Sequence, residues 1–287
     1  MNKKLKVIHS LIKVQLKTER LVNHLMYTMI FFIFISYILI NNLITETYKL
    51  EISINIWDGI FSIITQPSFI LFIYLPVFLL ATSVLISRNN FSKYLIVRCS
   101  KKSWIASRIL CQLIINFTFS LCYFLFVTIL SAVNFDISPK WSDTIMDSQS
   151  ISMLSTKLYP NNFVLVMTPY KALIFSFFGV FLSMCIITLL RDLFMEFVQN
   201  IIVANIMTIT YIVANFVLFA FPLKNLVGTI FAYISLYNVS MIWCHKFSSV
   251  ALSAIPLNMG LLSGFMFISA IIVFRLIFSR RMVIAND

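Results

Sequence analysis

Six long apolar segments follow one another along the 287 residues and restrict what the chain can fold into. Each is long enough to cross the hydrocarbon core of a bilayer as a helix, which takes about 20 mainly apolar residues. Hydrophobic residues make up 60% of the chain and charged residues 11%, a composition too apolar for a water-soluble domain. We therefore predict an all-α integral membrane protein with spans near residues 25–45, 68–87, 109–133, 170–190, 198–221 and 257–279.

A seventh apolar stretch, residues 226–244, is also long enough to span, and the distribution of charge decides between six and seven spans. With six spans, one face holds all the arginines, and the other holds only six of the 22 Lys and Arg residues: Lys49, Lys140, Lys157, Lys171, Lys224 and Lys246. The positive-inside rule then puts both termini in the cytoplasm. Seven spans would move Arg280 and Arg281 outside. We therefore predict that 226–244 re-enters the membrane or lies in its outer interface.

The predicted organisation is a single transmembrane domain, 1–287. An interfacial helix covers 1–24, and the first three spans lie within 25–133 with a cytoplasmic loop at 88–108. An outer loop follows at 134–169. The last three spans lie within 170–279, interrupted by an outer segment at 222–256, and residues 280–287 form a cytoplasmic tail.

The first 24 residues have an amphipathic pattern. At 100° per residue, Leu5, Ile8, Ile12 and Leu16 share one arc of a helix, and cations form a separate arc beside it. Such a helix lies on the inner leaflet with its cations toward anionic lipid. A plain basic flank that only sets topology remains the alternative. The cations concerned are Lys6, Lys13, Lys17 and Arg20.

The loop 88–108 combines six cations with apolar side chains and has no acid. Topology alone needs the cations but not the apolar residues, so the pattern favours docking of a protein partner. Simple anchoring to lipid headgroups remains the alternative. The residues that carry this prediction are Lys93, Tyr94, Leu95, Arg98, Lys101, Lys102 and Trp104.

Catalytic chemistry is missing from the sequence pattern. No GxxxxGK[ST] motif is present, and the His and Cys residues have no metal-ligand spacing. We expect the acids to be confined to loops and the span interiors to be uncharged, with Lys171 and Arg275 extending from span ends to the headgroups. We therefore expect no enzyme activity, no cofactor or metal in this chain, and no nucleic-acid partner.

Neutral polar residues do occur within the spans. Four on the fifth span fall on one face, and Asn116, Thr118 and Ser120 lie in the inner half of the third. Such side chains either hold helices together by hydrogen bonds or line a substrate path, and both interpretations remain open. We also expect Pro76 to kink the second span, and Gly260 and Gly264 to mark a close helix contact. The four residues of the fifth span are Asn205, Thr208, Tyr211 and Asn215.

The assembled pattern resembles the permease subunits of type-2 ABC transporters, an exporter-like family of bacteria. The resemblance covers the whole length as an architecture, and its most specific point is the aromatic-aliphatic-Arg stretch from Tyr94 to Arg98, followed by a polar turn and Trp104. It implies that the loop is a coupling helix docked on a separate ATPase subunit, which binds ATP and Mg²⁺. It also implies a second permease copy or paralogue, with the second and fifth spans of each copy facing each other across the path.

These features together predict the transmembrane subunit of an ATP-driven exporter in a bacterial cytoplasmic membrane. Its uncharged polar-aromatic spans suit an amphipathic or hydrophobic cargo, such as a peptide or antimicrobial molecule. The alternative is a non-transporting scaffold, immunity or signalling subunit that docks a soluble partner through the same loop.

Overall fold

A computed structural model describes residues 3–16, 19–86, 101–146, 163–220, 226–245, 247 and 255–278 of the chain. Within these ranges the fold is entirely helical and contains no β-strand. Five helices are long and apolar enough to cross a membrane, so the chain is a multi-pass membrane protein: Leu21–Leu50, Pro67–Leu85, Lys102–Asn134, Pro169–Val198 and Leu257–Ile277. A sixth apolar helix covers Ile201–Ala220.

The described helices are numbered in chain order. α1 is the amphipathic helix, α2 carries the first span, and α3 and α6 are short helices outside the spans. α4 is the helical segment that starts at Pro67 and ends in a 3₁₀ turn, Thr82–Ile86. The other bounds are α1 Lys3–Leu16, α2 Glu19–Leu50, α3 Ile56–Ile64, α5 Lys101–Asn134, α6 Asp143–Met146, α7 Pro169–Val198, α8 Ile201–Ala220, α9 Leu226–Ile234, α10 Leu236–Ser240 and α11 Leu257–Phe278.

Successive long helices run in opposite directions, so the bundle has two distinct ends. The start of α5 lies beside the end of α7, as the bond from Arg108 to Asp192 shows, and α1 packs against the same part of α5. We call this the α1 end. The opposite end holds α3, α6, α9 and α10, and we call it the α3 end. Both termini of the described chain lie at the α1 end.

The proline of α4 coincides with an irregular turn. A π-helical turn, Ile70–Tyr74, directly precedes the α-helical part Leu75–Ala81 that contains Pro76. Proline cannot donate to the carbonyl four residues before it and its ring crowds that carbonyl. A π turn is a common way to absorb such a disruption. The helix type therefore changes next to Pro76, at the position where the sequence predicts a kink.

α3 is a buried helix that the sequence analysis assigned to a loop between spans. Asn55 caps its first turn: its side chain accepts from the backbone N–H of Trp57 at 3.0 Å, and the Asp58 carboxylate accepts from the Asn55 N–H at 2.9 Å. The backbone carbonyl of Asp136 accepts from the Ile56 N–H at 3.0 Å. These bonds close the α3 end of the bundle between α2 and α5.

The predicted outer segment is a broken helix rather than a continuous one. α9 ends at Ile234, α10 covers only five residues, and a 3₁₀ turn, Ile242–Cys244, follows. α10 and the turn are buried against α7, α8 and α11, and no part of 226–244 is a described helix long enough to span. Its irregular backbone is thus surrounded by protein, as a bilayer requires.

Glycines make room for this part of the chain, residues 226–244, which we call the broken segment. A Cβ on Gly179 of α7 would meet the backbone carbonyl oxygens of Val239 and Ser240. The two glycines of the predicted GxxxG pair face the same segment. A Cβ on Gly260 would meet the ring of His245, and a Cβ on Gly264 would lie 3.1 Å from a methyl group of Val239. The close contact predicted for the pair is therefore present, and its partner is the broken segment.

α7 continues beyond the point where the sequence analysis ended its span. The loop expected at 191–197, between two predicted spans, forms the last two turns of α7. Gln199 follows the helix in a left-handed conformation, and Asn200 caps α8 by accepting from the Ile202 N–H at 2.9 Å. Arg191 and Asp192 are fully buried. The expectations that the acids lie in loops and that the helices are uncharged inside are therefore wrong.

Candidate functional site

A row of polar side chains on α5 faces a row on α7. Because a helix turns once every 3.6 residues, Arg108, Gln112, Asn116 and Ser120 share one face of α5. The corresponding face of α7 carries Glu196, Asp192, Thr188 and Met184 at the same four-residue interval. The two helices run antiparallel, so the two rows lie against each other. We call this contact the α5–α7 polar row.

The inner part of the polar row is uncharged. The Asn116 side chain donates from Nδ2 to the hydroxyl of Thr188 at 3.0 Å and to the sulfur of Cys185 at 3.4 Å. One turn further, the Ser120 hydroxyl donates to the sulfur of Met184 at 2.8 Å. All of these residues are buried. Asn116 and Ser120 therefore join helices, whereas Thr118, the third polar residue predicted on this span, is exposed.

The row ends in ion pairs at the α1 end. The carboxylate of Asp192 contacts Arg108 Nε at 3.0 Å and Arg275 Nη2 at 3.3 Å, so it links α5, α7 and α11. Arg275 Nη2 also lies 2.9 Å from Glu196 Oε1. Arg275 is only 2% exposed. The expectation that its side chain extends to the headgroups is wrong, because two acids on α7 hold it inside the bundle.

Arg191 extends in another direction from the same turn of α7. Its Nη1 donates to the backbone carbonyl of Leu79 at 2.7 Å and to the hydroxyl of Thr82 at 2.9 Å. Both acceptors lie where the α-helical part of α4 passes into its 3₁₀ turn, and the Leu79 carbonyl also accepts from the Thr82 hydroxyl at 3.1 Å. The guanidinium therefore holds α4 at this point, and it lies 3.5 Å from Asp192 Oδ1.

The ion pairs do not satisfy every polar atom they bury. Arg191 Nε and Nη2, Asp192 Oδ1, Glu196 Oε2 and Arg275 Nη1 are buried without a hydrogen-bond partner, as are both amide atoms of Gln112. Buried ions are costly unless their remaining donors and acceptors are paired.

The polar face predicted on α8 is occupied mainly by the broken segment. The Tyr211 hydroxyl donates to the Ile234 carbonyl at 2.8 Å, and Asn215 Oδ1 accepts from the Leu236 N–H at 3.0 Å. These bonds satisfy the backbone carbonyl of Ile234 and the backbone N–H of Leu236, where α9 ends and α10 begins. Thr208 bonds to the carbonyl of Ala204 in its own helix, and Asn205 Oδ1 is buried without a partner.

α1 is held against the start of α5. Leu11 is buried, and the Gln15 amide donates to the hydroxyl of Ser107 at 3.3 Å. Lys6 and Lys13 are exposed on the outer side of the helix. Lys17 lies outside the described residues, and Arg20 belongs to the first turn of α2. α1 therefore packs against the start of α5.

Four of the seven residues predicted for docking, Lys93, Tyr94, Leu95 and Arg98, lie outside the described residues. Lys101 and Lys102 begin α5, where Lys102 is exposed and Trp104 is half-buried. The described chain resumes at the α1 end, close to α1. Within the described ranges, no group of three or more His, Cys, Asp or Glu side chains could hold a metal ion.

Comparisons of the chain with protein-family models, with curated proteins and with solved structures each find no match. The function therefore has to be argued from the residues themselves.

Proposed function

We propose that the chain is the membrane-spanning subunit of an ATP-driven exporter in a bacterial cytoplasmic membrane. In this proposal α8 is a sixth span, both termini are cytoplasmic, and a separate ATPase docks on the loop 88–108 and supplies ATP and Mg²⁺. The cargo is an amphipathic or hydrophobic molecule such as a peptide or antimicrobial. A second copy or a paralogue completes the path.

One observation carries the proposal. The two helix ends that flank the 88–108 loop, at α4 and α5, are bonded to other helices of the bundle beside the amphipathic helix α1, and we call these two helix ends the stems. Arg191 holds the end of α4, Asp192 holds Arg108 of α5, and Gln15 joins α1 to Ser107. A loop that only sets topology needs no fixed stems. Stems anchored in the helices would pass a force applied to the loop directly into the bundle.

A further observation supports the predicted path. The rings of Phe72 on α4 and Phe216 on α8 are 4.7 Å apart, so the second and fifth of the predicted spans are neighbours. The outer faces of both are apolar: Phe72 and Leu80 on α4, and Ile202 and Ile206 on α8, are exposed. A second copy set against this face would enclose an apolar path suited to a hydrophobic cargo.

The non-transporting scaffold has one observation in its favour. Tyr211 and Asn215, for which lining of the path was one of two open interpretations, bond to the backbone of the broken segment. A polar face used in this way holds helices together and offers no surface to a cargo. The scaffold would use the same 88–108 loop to dock a soluble partner.

Purification of the tagged chain in mild detergent, with mass spectrometry of the co-purifying proteins, separates the two. We expect a P-loop ATPase in comparable amount, lost when residues 93–104 are deleted. Recovery of the chain alone, or with a partner that is not an ATPase, would reject the exporter and favour the scaffold.

A double substitution tests the docking residues. Arg98→Ala with Trp104→Ala should uncouple ATP hydrolysis from transport while the chain still inserts. The matched control is Tyr48→Ala with Lys140→Ala, which removes one aromatic ring and one cation that are exposed at the α3 end. Equal transport by both double variants would contradict the docking assignment.

A further inference from the structure

Two adjacent residues of α7 hold both stems of the segment 87–100. Arg191 bonds to Leu79 and Thr82, which lie just before this segment. Asp192 bonds to Arg108, which lies just after it. Neighbouring positions on a helix point about 100° apart, so one turn of α7 reaches α4 and α5 at the same time.

This arrangement is costly for a contact that only packs helices together. Arg191 and Asp192 are fully buried, and three of their polar atoms have no hydrogen-bond partner. Apolar side chains of similar volume are often as stabilising as a buried ion pair or more so, whereas loss of one ion leaves the other uncompensated. A charged contact of this kind holds one arrangement while the pairs are made and releases it when they are broken.

The same carboxylate extends the connection to a third helix. Arg275 of α11 contacts both Asp192 and Glu196, which lie one turn apart on α7. A displacement of the α5 stem that pulls Arg108 from Asp192 would change the balance of charge around Arg275. Arg275 then has the alternative acceptor Glu196 already in contact, so α11 can shift along α7 without exposing an unpaired arginine.

We propose that Arg191 and Asp192 form a clamp that passes movement of the α4 and α5 stems to α7 and, through Arg275, to α11. They are positioning residues and need not touch cargo or nucleotide. The clamp itself is a property of the chain alone. Its part in coupling rests on the proposed function, because an ATPase would be the source of the movement.

Hydrogen exchange of the isolated full-length chain in lipid nanodiscs tests the clamp without any partner. Arg191→Met should speed amide exchange at the end of α4, around 79–86, by about tenfold or more, because a charge-assisted bond to that stem is lost. Asp192→Asn should do the same at the start of α5 and at the end of α11 while sparing α4. Arg191→Met thus loosens the α4 stem, and Asp192→Asn loosens the α5 stem.

Milder variants keep the test valid if those chains fold poorly. Thr82→Val removes only a hydroxyl acceptor from the α4 stem, and Arg108→Gln removes only the ion pair of the α5 stem. Asp136→Asn, exposed at the α3 end, is the control and should leave amide exchange at both stems unchanged. Unchanged exchange at both stems in all four variants would overturn the clamp.

A second measurement tests the role in coupling. With the ATPase bound, Thr82→Val and Arg108→Gln should retain partner binding and ATP hydrolysis but lose most transport, a separation that general destabilisation would not produce. Full transport alongside faster exchange would overturn the transmission role. Failure to recover any ATPase would reject the proposed function, whereas the exchange result on the isolated chain would still decide whether the clamp exists.

Discussion

The indole N–H of Trp243 donates to the backbone carbonyl of Thr65 at 3.0 Å, across 178 residues of chain. Thr65 directly follows α3, and Trp243 lies in the 3₁₀ turn that follows α10. This bond joins the two irregular elements at the α3 end, and both of its partners are buried. The broken segment is therefore bonded to the end of α3 as well as packed against α7, α8 and α11.

Trp243→Phe should destabilise the chain by about 1–3 kcal/mol, because it leaves a buried carbonyl without its donor. Thermal unfolding in detergent measures the effect. Tyr48→Phe, which removes a hydroxyl from a side chain that is 86% exposed, is the control and should leave the midpoint unchanged. Equal midpoints for the two variants would show that the bond contributes nothing to stability.

Gly179→Ala should be more destabilising than Gly264→Ala. The new Cβ at 179 meets backbone carbonyls of the broken segment, which cannot rotate away, whereas that at 264 meets a Val239 methyl at 3.1 Å. Overpacking of this kind costs about 1–3 kcal/mol. Unfolding midpoints of the two variants, measured side by side, should differ in that order. The reverse order would mean that the broken segment is not packed against α7.

Asn116 and Thr188 should be energetically coupled. A double-mutant cycle with Asn116→Ala and Thr188→Ala should give a coupling free energy of about 0.6–1.7 kcal/mol, the range for hydrogen bonds between membrane helices. The same cycle with Asn116→Ala and Thr118→Ala should be additive, because Thr118 is exposed. Equal coupling in both cycles would argue against the α5–α7 polar row.

Stability should fall in mildly acidic solution because of His245. Its ring lies at the end of the 3₁₀ turn, outside the spans, and burial lowers its pKa; a bond from Nδ1 to the Ile255 carbonyl at 3.3 Å opposes this only partly. The unfolded chain has a His pKa of about 6.5 and so binds the proton first as pH falls. Stability is therefore complete above pH 6.5 and decreases below it, toward the lower pKa of the folded chain.

Unfolding midpoints from pH 8 down to pH 5 measure this effect. His245→Asn should flatten the decrease, although the variant itself starts from a lower midpoint if the Ile255 contact is lost. Asn42→Ser, an exposed position of α2 without a titratable group, should retain the wild-type slope. An identical slope in the His245→Asn chain would show that another group causes the acid sensitivity.

The long helices could be predicted because a bilayer requires an uninterrupted apolar length. The predicted start at 170 and the observed start at Pro169 agree, but the predicted end at 190 is eight residues short of Val198. Hydropathy treats a charge as the end of a span. It could not take into account that Arg108 and Arg275, distant in sequence, would pair with Asp192 and allow α7 to continue.

The candidate site was visible in the sequence only as a spacing. Arg108, Gln112, Asn116 and Ser120 recur every four residues, as do Thr188, Asp192 and Glu196. The charged members were assigned to loops, and of the neutral members only Asn116 and Ser120 were singled out. α3 was missed for a different reason: its nine residues are too few to span, and only the capping pair Asn55 and Asp58 signals a helix.

The sequence separation of the Arg108–Asp192 pair has a consequence for synthesis. The two residues are 84 positions apart, and Arg275 follows Glu196 by a further 79. At about 5–20 residues per second, α5 waits roughly 4 to 17 s for its counter-ion to leave the ribosome. During that time Arg108 has to remain at the water boundary. Assembly of this bundle therefore ends with the arrival of α11, and a chain truncated before Arg275 would present quality-control proteases with an acidic pair that lacks one of its three arginines.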